Sequence, residues 1–284
     1  MDAAEAVFHY IDEYSRMAEA YDANVRPRFE PVARRLVDTL DPRPGEPVLE
    51  IAAGTGNATL LIAPRVLPGG SVTAIDAANG QLEVARRRAS ESGISNVRFE
   101  MMDATSLAYP RHAFAAAVSS FGIPIARWRE AFSEAHRVLG EGGRFVFSEW
   151  EGTMAWATAF SEAQKPHRTS TPSARLAQLR EAVLLLRGSK DREELGDAGA
   201  VRLALERSGF SEVRVLRETF HPRFEDLDAL LRFRHSWGYD EMEWREMGAD
   251  ARAAFRADLE KRVGALGGPG GLVFNVFFVS ARRA

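Results

Sequence analysis

Apolar and polar positions alternate along this chain in two rhythms that together predict an α/β fold. Short apolar runs bounded by Gly and Pro, such as 48–52, 71–76 and 113–123, are typical of buried strands. Segments with apolar residues at helical spacing, such as 80–93, lie between these runs. Strands that alternate with helices of about ten to fifteen residues predict a mostly parallel sheet with helices on both faces.

The same pattern divides the chain into four parts. Residues 1–40 carry helical periodicity and are predicted to form an N-terminal helical cap. Residues 41–150 hold the strand–helix alternation and form the predicted core. Residues 151–198 become mostly helical, which predicts a helical lid inserted after the fifth strand. Residues 199–284 return to the core and end in the strongly apolar strand "LVFNVFFVSARR".

Composition narrows the classes of protein. The 284 residues are 45% hydrophobic, which is enough for one substantial core. A net charge of −3 gives no general attraction to nucleic acid or to anionic membrane. The absence of cysteine excludes disulfides and thiolate chemistry. An acidic start without an apolar run, and the lack of a long apolar window, predict a soluble, cytoplasmic protein without membrane insertion.

The stretch "VLEIAAGTGNATL" (48–60) places a glycine-containing loop directly after the first predicted strand. Parallel sheets bind ligands at the carboxyl ends of their strands, so this loop is the natural cofactor site. Gly54 and Gly56 allow a tight turn and a close approach of a ligand to the backbone. Thr59 stands where a dinucleotide fingerprint needs its third glycine, and the lysine of a P-loop is missing. Phosphate ligands are therefore disfavoured.

Glu50 indicates the charge of the ligand. An unpaired carboxylate at the end of a buried strand is costly, and it would repel a pyrophosphate. A cationic ligand reverses that repulsion. S-adenosylmethionine carries a sulfonium and an ammonium but no phosphate, and a carboxylate acting directly or through water would favour it.

Acidic residues also end the next two strands. Asp76 follows Gly56 by 20 residues, where a carboxylate can accept hydrogen bonds from both ribose hydroxyls. Asp103 can accept from an adenine amino group, while the Ala104 amide donates to a ring nitrogen. The alternative is that each acid only caps a helix. Three acids in register with a glycine loop favour the cofactor interpretation.

Several segments resemble class I S-adenosylmethionine-dependent methyltransferases, in the broad group of ubiquinone/menaquinone-type and natural-product small-molecule enzymes. "VLEIAAGTGNAT", "VTAIDAANGQLEVAR", "FEMMDATSLAYP" and "EAHRVLGEGGRFVFSEW" carry this resemblance. It implies a Rossmann-like, seven-stranded sheet whose last strand inserts antiparallel beside the sixth. It also implies S-adenosyl-L-methionine as the cofactor and a small-molecule substrate.

The residue pattern and the resemblance together give a predicted cofactor site. Its members are Tyr21, Glu50, Ala52, Gly54, Gly56, Asp76, Ala77, Gln81, Asp103, Ala104 and Ser119. Ala52 replaces a commoner glycine of the family, while Ala77 and Gln81 replace the usual residues under the adenine. Tyr14 and Tyr21 share a helical face. The resemblance implies tyrosines that close over the methionine end of the cofactor, but an aromatic core stripe explains this pair equally simply.

Methyl transfer is an in-line displacement, so the protein mainly aligns donor and acceptor and excludes water. A general base helps only if the acceptor must lose a proton. His167 and His235 are the candidate catalytic bases, against the alternative of ordinary surface or packed histidines. The six histidines show no metal-ligand spacing, and no metal is expected.

These features favour a methyltransferase for a small hydrophobic or aromatic metabolite, with O-methylation preferred. The apolar lid could enclose such an acceptor, or it could simply pack on the sheet. One alternative is a protein of the same fold that binds the cofactor but acts as a non-methylating cyclase or binding protein. A nucleotide-dependent oxidoreductase is a weaker alternative. No nucleic acid partner is expected, and a homodimer is left open.

Overall fold

Seven strands form one mixed sheet in the computed structural model, which describes residues 1–284. In chain order the strands are β1 (Pro47–Ile51), β2 (Ser71–Asp76), β3 (Val97–Met101), β4 (Phe114–Ser120), β5 (Leu139–Trp150), β6 (Phe210–Phe220) and β7 (Phe274–Arg283). Their spatial order is β3-β2-β1-β4-β5-β7-β6. Neighbours among β1–β5 pair in parallel, and β7 is antiparallel to both β5 and β6. The predicted fold, including the inserted last strand, is confirmed.

Thirteen helices surround the sheet. They are α1 (Ala3–Arg16), α2 (Ala18–Asn24), α3 (Arg26–Leu40), α4 (Thr59–Ile62), α5 (Asn79–Glu91), α6 (Trp128–Val138), α7 (Ala155–Gln164), α8 (Ala174–Arg187), α9 (Lys190–Leu195), α10 (Ala198–Arg207), α11 (Leu227–His235), α12 (Tyr239–Glu246) and α13 (Ala249–Gly264). Two large apolar clusters lie on opposite faces of the sheet. One joins it to α3, α7, α11 and α13, and the other joins it to α6 and α10.

The element types agree with the sequence pattern, but some boundaries differ. The helix expected over 58–66 is limited to α4, and the expected helix over 224–239 ends early at α11. The chain reverses into α12 at Gly238, whose φ of +80° is unfavourable for other residues. A Cβ at Gly238 would lie 2.4 Å from Cγ of Glu13. The close approach of α1 therefore requires glycine at this break.

The last strand is apolar on both sides because it lies inside the sheet. Phe277 and Phe278 point to opposite faces and are almost completely buried, one in each cluster. Burial of such a side chain contributes about 1.5–3 kcal/mol relative to exposure. A strand with partners on both edges and helices on both faces has no polar side, which explains the run "FNVFFVSA".

Strand direction determines where the long helical segments begin. β5 and β6 both run antiparallel to β7, with Trp150 opposite Val276 and Phe220 opposite Phe274. The carboxyl ends of β5 and β6 and the start of β7 therefore lie at the same edge of the sheet as the loop after β1. Helices α7–α9 and α11–α13 leave the sheet at this edge, and α1 packs against α5 and α8.

No helix combines the length and the apolar character that a membrane crossing requires.

Candidate active site

The loop after β1 adopts a conformation that few side chains tolerate. Ala52, Gly54 and Gly56 have φ values of +54°, +55° and +82°. A Cβ at Gly56 would lie 3.2 Å from the Cβ of Ala85 on α5, so the loop and that helix approach closely. Ala52 is not a glycine, and a positive φ at such a residue is a strained arrangement that clusters at ligand sites.

Asp76, at the end of β2, links two backbone segments. Its Oδ2 accepts the Gly54 N–H and its Oδ1 accepts the Ala78 N–H, each at 2.8 Å. Burial raises the pKa of Asp76, against the lowering effect of these N–H donors. Each carboxylate oxygen has a second lone pair, and the side chain is only half-buried. Asp76 can therefore accept two more donors, as the ribose assignment requires.

Glu50 is a carboxylate removed from water. The residue is 1% exposed, and the Thr59 hydroxyl donates to its Oε2. Burial, together with the nearby charge of Asp76, raises the pKa of Glu50 to about 8, against the lowering effect of the Thr59 hydrogen bond. Two neighbouring acids in a buried cleft would be stabilised by a cation.

Two more polar atoms in the cleft lack partners. Gln81 donates through Nε2 to the Tyr14 carbonyl at 2.8 Å, but its Oε1 is buried without a hydrogen bond. That oxygen lies 3.7 Å from where a Cβ on Gly54 would be, so it faces the loop. The buried Ser119 Oγ, near the end of β4, is also unpartnered. The cleft is rich in acceptors, which fits the ammonium, hydroxyl and amino donors of S-adenosylmethionine.

Asp103 lies at the rim of the cleft. Its Oδ1 accepts the N–H and the hydroxyl of Thr105, both at 2.8 Å, while its Oδ2 is 3.8 Å from an Arg127 nitrogen. The side chain is 59% exposed. Ala104 and Ala77 are half-buried beside the ends of their strands. The geometry leaves Oδ2 of Asp103 open to an adenine amino group, in competition with Arg127.

Tyr21, on α2, lies near Asp76 of the cleft. Burial raises the pKa of its hydroxyl, and the charge of Asp76 raises it further, which places the two groups near each other. The Tyr21 ring centroid is 6.1 Å from that of Tyr14 and 6.4 Å from that of Trp237. Both rings are half-buried. Tyr21 is thus in position for the role that the resemblance implies.

An aromatic wall adjoins this cleft at the ends of β4 and β5. Phe121 stacks on Trp150 with centroids 4.2 Å apart, and Phe29 contacts both rings. Phe121 has a φ of +54°, and a Cβ on the following Gly122 would lie 2.3 Å from the Ala52 Cβ. The wall and the glycine loop are therefore in direct contact. We define the aromatic wall by three half-buried rings and the three buried rings packed with them. The half-buried rings are Phe121, Trp150 and Trp237, and the buried rings are Phe29, Phe233 and Phe274.

The two candidate bases lie in the helical layer. His167 is half-buried in the 3-10 turn Lys165–His167 after α7. His235 ends α11, with its ring 5.2 Å from Trp244 and 6.5 Å from Phe160. Its Nε2 is buried without a partner. Burial lowers the pKa of His235 to about 4, which makes its imidazole neutral but weakly basic at pH 7.

Sequence reasoning missed a polar cluster beneath the cap helices. Arg234 forms an ion pair with Asp240 at 2.5 Å, and Arg187 donates to the Tyr10 hydroxyl at 3.3 Å. A signal was present for Arg234: it follows Leu227 by seven residues, with Leu230 and Leu231 between them, on one buried helical stripe.

Comparisons with known proteins identify the class of enzyme. Residues 48–143 match the family model described as a methyltransferase domain. The chain is 31% identical over 281 residues to nocamycin O-methyltransferase from Saccharothrix syringae, which covers 95% of this chain and 96% of that protein. The protein belongs to the S-adenosylmethionine-dependent methyltransferase family.

Two further relatives show how far the likeness extends. A demethylmenaquinone methyltransferase from Symbiobacterium thermophilum is 34% identical over 147 residues, which is 49% of this chain and 59% of that enzyme. The solved structure of the [4+2]-cyclase SpnF aligns with a TM-score of 0.51 at 19% identity, over 89% of this chain and 81% of that chain. The latter similarity concerns the fold alone.

We expect Asp76→Ala to weaken S-adenosylmethionine binding by at least about 100-fold, because hydrogen bonds to a charged group contribute about 1.5–3 kcal/mol each. Calorimetry measures the dissociation constant, and thermal unfolding checks that the variant folds. Asp103→Asn is the matched control at an exposed strand end, with a smaller expected loss. Wild-type affinity in Asp76→Ala would refute the ribose assignment.

We expect Glu50 to make cofactor affinity depend on pH. Without ligand its pKa is about 8, and a bound cation lowers that pKa, so binding below pH 8 releases a proton and affinity rises with pH towards 8. The ammonium group of the ligand titrates equally with both proteins. The wild-type affinity divided by the affinity of Glu50→Gln at each pH therefore reports on Glu50 alone. Calorimetry from pH 6 to 9, in buffers of different ionisation enthalpy, measures the ratio and the released proton.

The same substitution has an opposite effect on stability. A carboxyl whose pKa is raised by folding contributes its stability below the unfolded value, and this contribution is lost as pH rises through about 8. Without ligand, Glu50→Gln should therefore unfold at a higher temperature than wild type at pH 9. If the affinity ratio of wild type to Glu50→Gln did not change with pH, and the two proteins were equally stable at pH 9, Glu50 would not be the ionising carboxylate that faces the cationic ligand.

Proposed function

We propose that the protein transfers a methyl group to an oxygen of a small, apolar or aromatic metabolite of natural-product biosynthesis. The observation that carries this proposal is the extent of the likeness to nocamycin O-methyltransferase, which spans 95% of the chain. That likeness reaches beyond the core into the helical segments at the carboxyl edge of the sheet. Those segments supply much of the wall around an acceptor.

We propose that the cleft at the ends of β1, β2 and β4 holds the cofactor. Glu50 would face the cationic methionine end of the cofactor, Asp76 its ribose and Asp103 its adenine. The glycine loop would lie against the part of the cofactor between the methionine and the adenine. The unpartnered Oε1 of Gln81 and Oγ of Ser119 would form hydrogen bonds with the same ligand. When bound, S-adenosylmethionine supplies an activated methyl group on a sulfonium, and the protein's own task is alignment and exclusion of water.

The aromatic wall supports an apolar acceptor. It adjoins the loop at Ala52 and Gly122, so an acceptor against Phe121 or Trp150 would lie next to the cofactor cleft. Flat rings offer apolar area with defined stacking geometry. We propose that residues 151–198 act as a lid over this space, since α8 packs on α1 above the cleft.

The experiment is incubation with S-adenosylmethionine labelled in its methyl group and a panel of phenols, enols and carboxylic acids built on aromatic and polyketide skeletons. We expect label in an ether or ester product, whose NMR spectrum shows a methyl group on oxygen. Label on carbon or nitrogen would overturn the O-methylation proposal. Tight cofactor binding without any labelled product would favour the non-methylating alternative, which the fold shared with a cyclase makes concrete.

For an acceptor that enters as a neutral hydroxyl, we propose His167 as the base in preference to His235, whose lowered pKa makes it weak. We expect His167→Asn to lower kcat by about 100-fold. His235→Asn should instead lower the unfolding temperature and leave kcat within about threefold. An unchanged kcat in His167→Asn would remove that residue from the mechanism.

A further inference from the structure

Two guanidinium groups beneath the cap helices lie near one carboxylate, which pairs with only one of them. Arg234 is 7% exposed and pairs with Asp240, which is 2% exposed. Arg187 is half-buried, donates only to the neutral Tyr10 hydroxyl and forms no ion pair. Asp240 is near enough to raise the pKa of Arg187, after the larger effect of Tyr10, so it is the acid common to both arginines.

Neighbouring acids are already committed to other arginines. Glu13 pairs with Arg175 at 2.7 Å, and Glu149 pairs with Arg192 at 2.9 Å. The buried Glu243 receives two hydrogen bonds of 2.8 Å from a third arginine. The three groups Arg187, Arg234 and Asp240 therefore carry one net positive charge between them. Uncompensated charge in such a setting is costly unless a ligand neutralises it.

The Arg234 side chain is held in place but not saturated. Its guanidinium lies 4.6 Å from the Phe160 ring centroid and 5.5 Å from that of Trp156, which fixes its plane by cation–π contact. Its Nε is buried without a hydrogen-bond partner. Burial lowers the pKa of Arg234, and the charge of Arg187 adds to this effect. A fixed, incompletely bonded guanidinium is suited to bind a planar oxyanion.

A row of tyrosines connects this cluster to the cofactor cleft. The Tyr10 ring is 5.1 Å from Tyr14, and Tyr14 is 6.1 Å from Tyr21, which lies near Asp76. All three rings are only half-buried although they lie between packed helices, so part of each ring remains accessible. The carboxylates Glu50 and Asp76 lie at one end of this row, and the arginines lie at the other.

We propose that the methyl acceptor carries a delocalised oxyanion, a carboxylate or an acidic enolate, which Arg187 and Arg234 bind at the end of the tyrosine row opposite Glu50. This inference rests on the proposed function and names the substrate class of the same site. The apolar body of the acceptor lies along the tyrosines and the aromatic wall, and its anionic group neutralises the excess charge. A neutral acceptor of the same shape leaves that charge uncompensated.

The test compares 2-naphthoate with 2-naphthamide, which have similar shapes and differ in charge. Calorimetry with the protein saturated by S-adenosylhomocysteine measures both affinities. We expect naphthoate to bind at least about tenfold more tightly than the amide in wild type, and this preference to disappear in Arg187→Met. Arg202→Met, at an exposed arginine of α10, is the matched control and should keep the preference.

Arg234→Met removes the partner of the buried Asp240, so the double variant Arg234→Met/Asp240→Leu provides the second measurement if the single variant does not fold. It too should lose the preference for naphthoate. Equal affinity for the two probes in wild type, including no binding of either, would overturn the proposal. A loss of S-adenosylhomocysteine affinity in Arg187→Met with an unchanged naphthoate preference would overturn it as well, and would assign the arginine to the cofactor's own carboxylate.

The outcomes separate this inference from the proposed function. Methyl transfer to neutral acceptors without a preference for naphthoate keeps the O-methyltransferase and rejects the anion site. Selective naphthoate binding with label found only on carbon or nitrogen of the acceptors keeps the anion site and rejects O-methylation.

Discussion

Desolvation of carboxylates at the carboxyl edge of the sheet is the constraint around which this site is built. Glu50 is enclosed by the strand that carries it and by Thr59, and Asp76 is close enough to oppose its ionisation. The cost of burying these carboxylates is partly offset, because backbone N–H groups at the strand ends donate hydrogen bonds to Asp76. A cation relieves both carboxylates together. The sulfonium cofactor of the family has the charge that this arrangement lacks.

Most of the core could be predicted from sequence because its signals are local. Strands β1 and β2 are short apolar runs with an acid at or next to the last position. The turn between β1 and α4 is indicated by Gly54 and Gly56. The number of strands and the antiparallel insertion of β7 came from resemblance, and the full strand order came only from the structure, since periodicity does not specify which strands are neighbours. Boundaries failed where tertiary contact decides them, as at Gly238 against Glu13.

The distal part of the site could not be predicted in the same way. Tyr10 on α1 and Arg187 on α8 are far in sequence from each other and from the consecutive helices α11 and α12, which carry Arg234 and Asp240. Only the packing of those helices brings the groups together. The apolar stripe that contains Arg234 is a signal, not used in the sequence analysis, that this arginine faces inward, but it cannot identify Asp240 as the partner. Charge balance in a cavity is a property of the assembled helices, not of any one segment.

The placement of β7 between β5 and β6 has an evolutionary consequence. Both long helical segments start from the same edge of the sheet, and the second also returns there, so insertions and replacements in them change this edge while the sheet stays intact. The methyltransferase-domain match, confined to residues 48–143, falls on the part that such remodelling spares. Proteins of this architecture can therefore change their substrate while the strand ends that we propose for the cofactor stay the same.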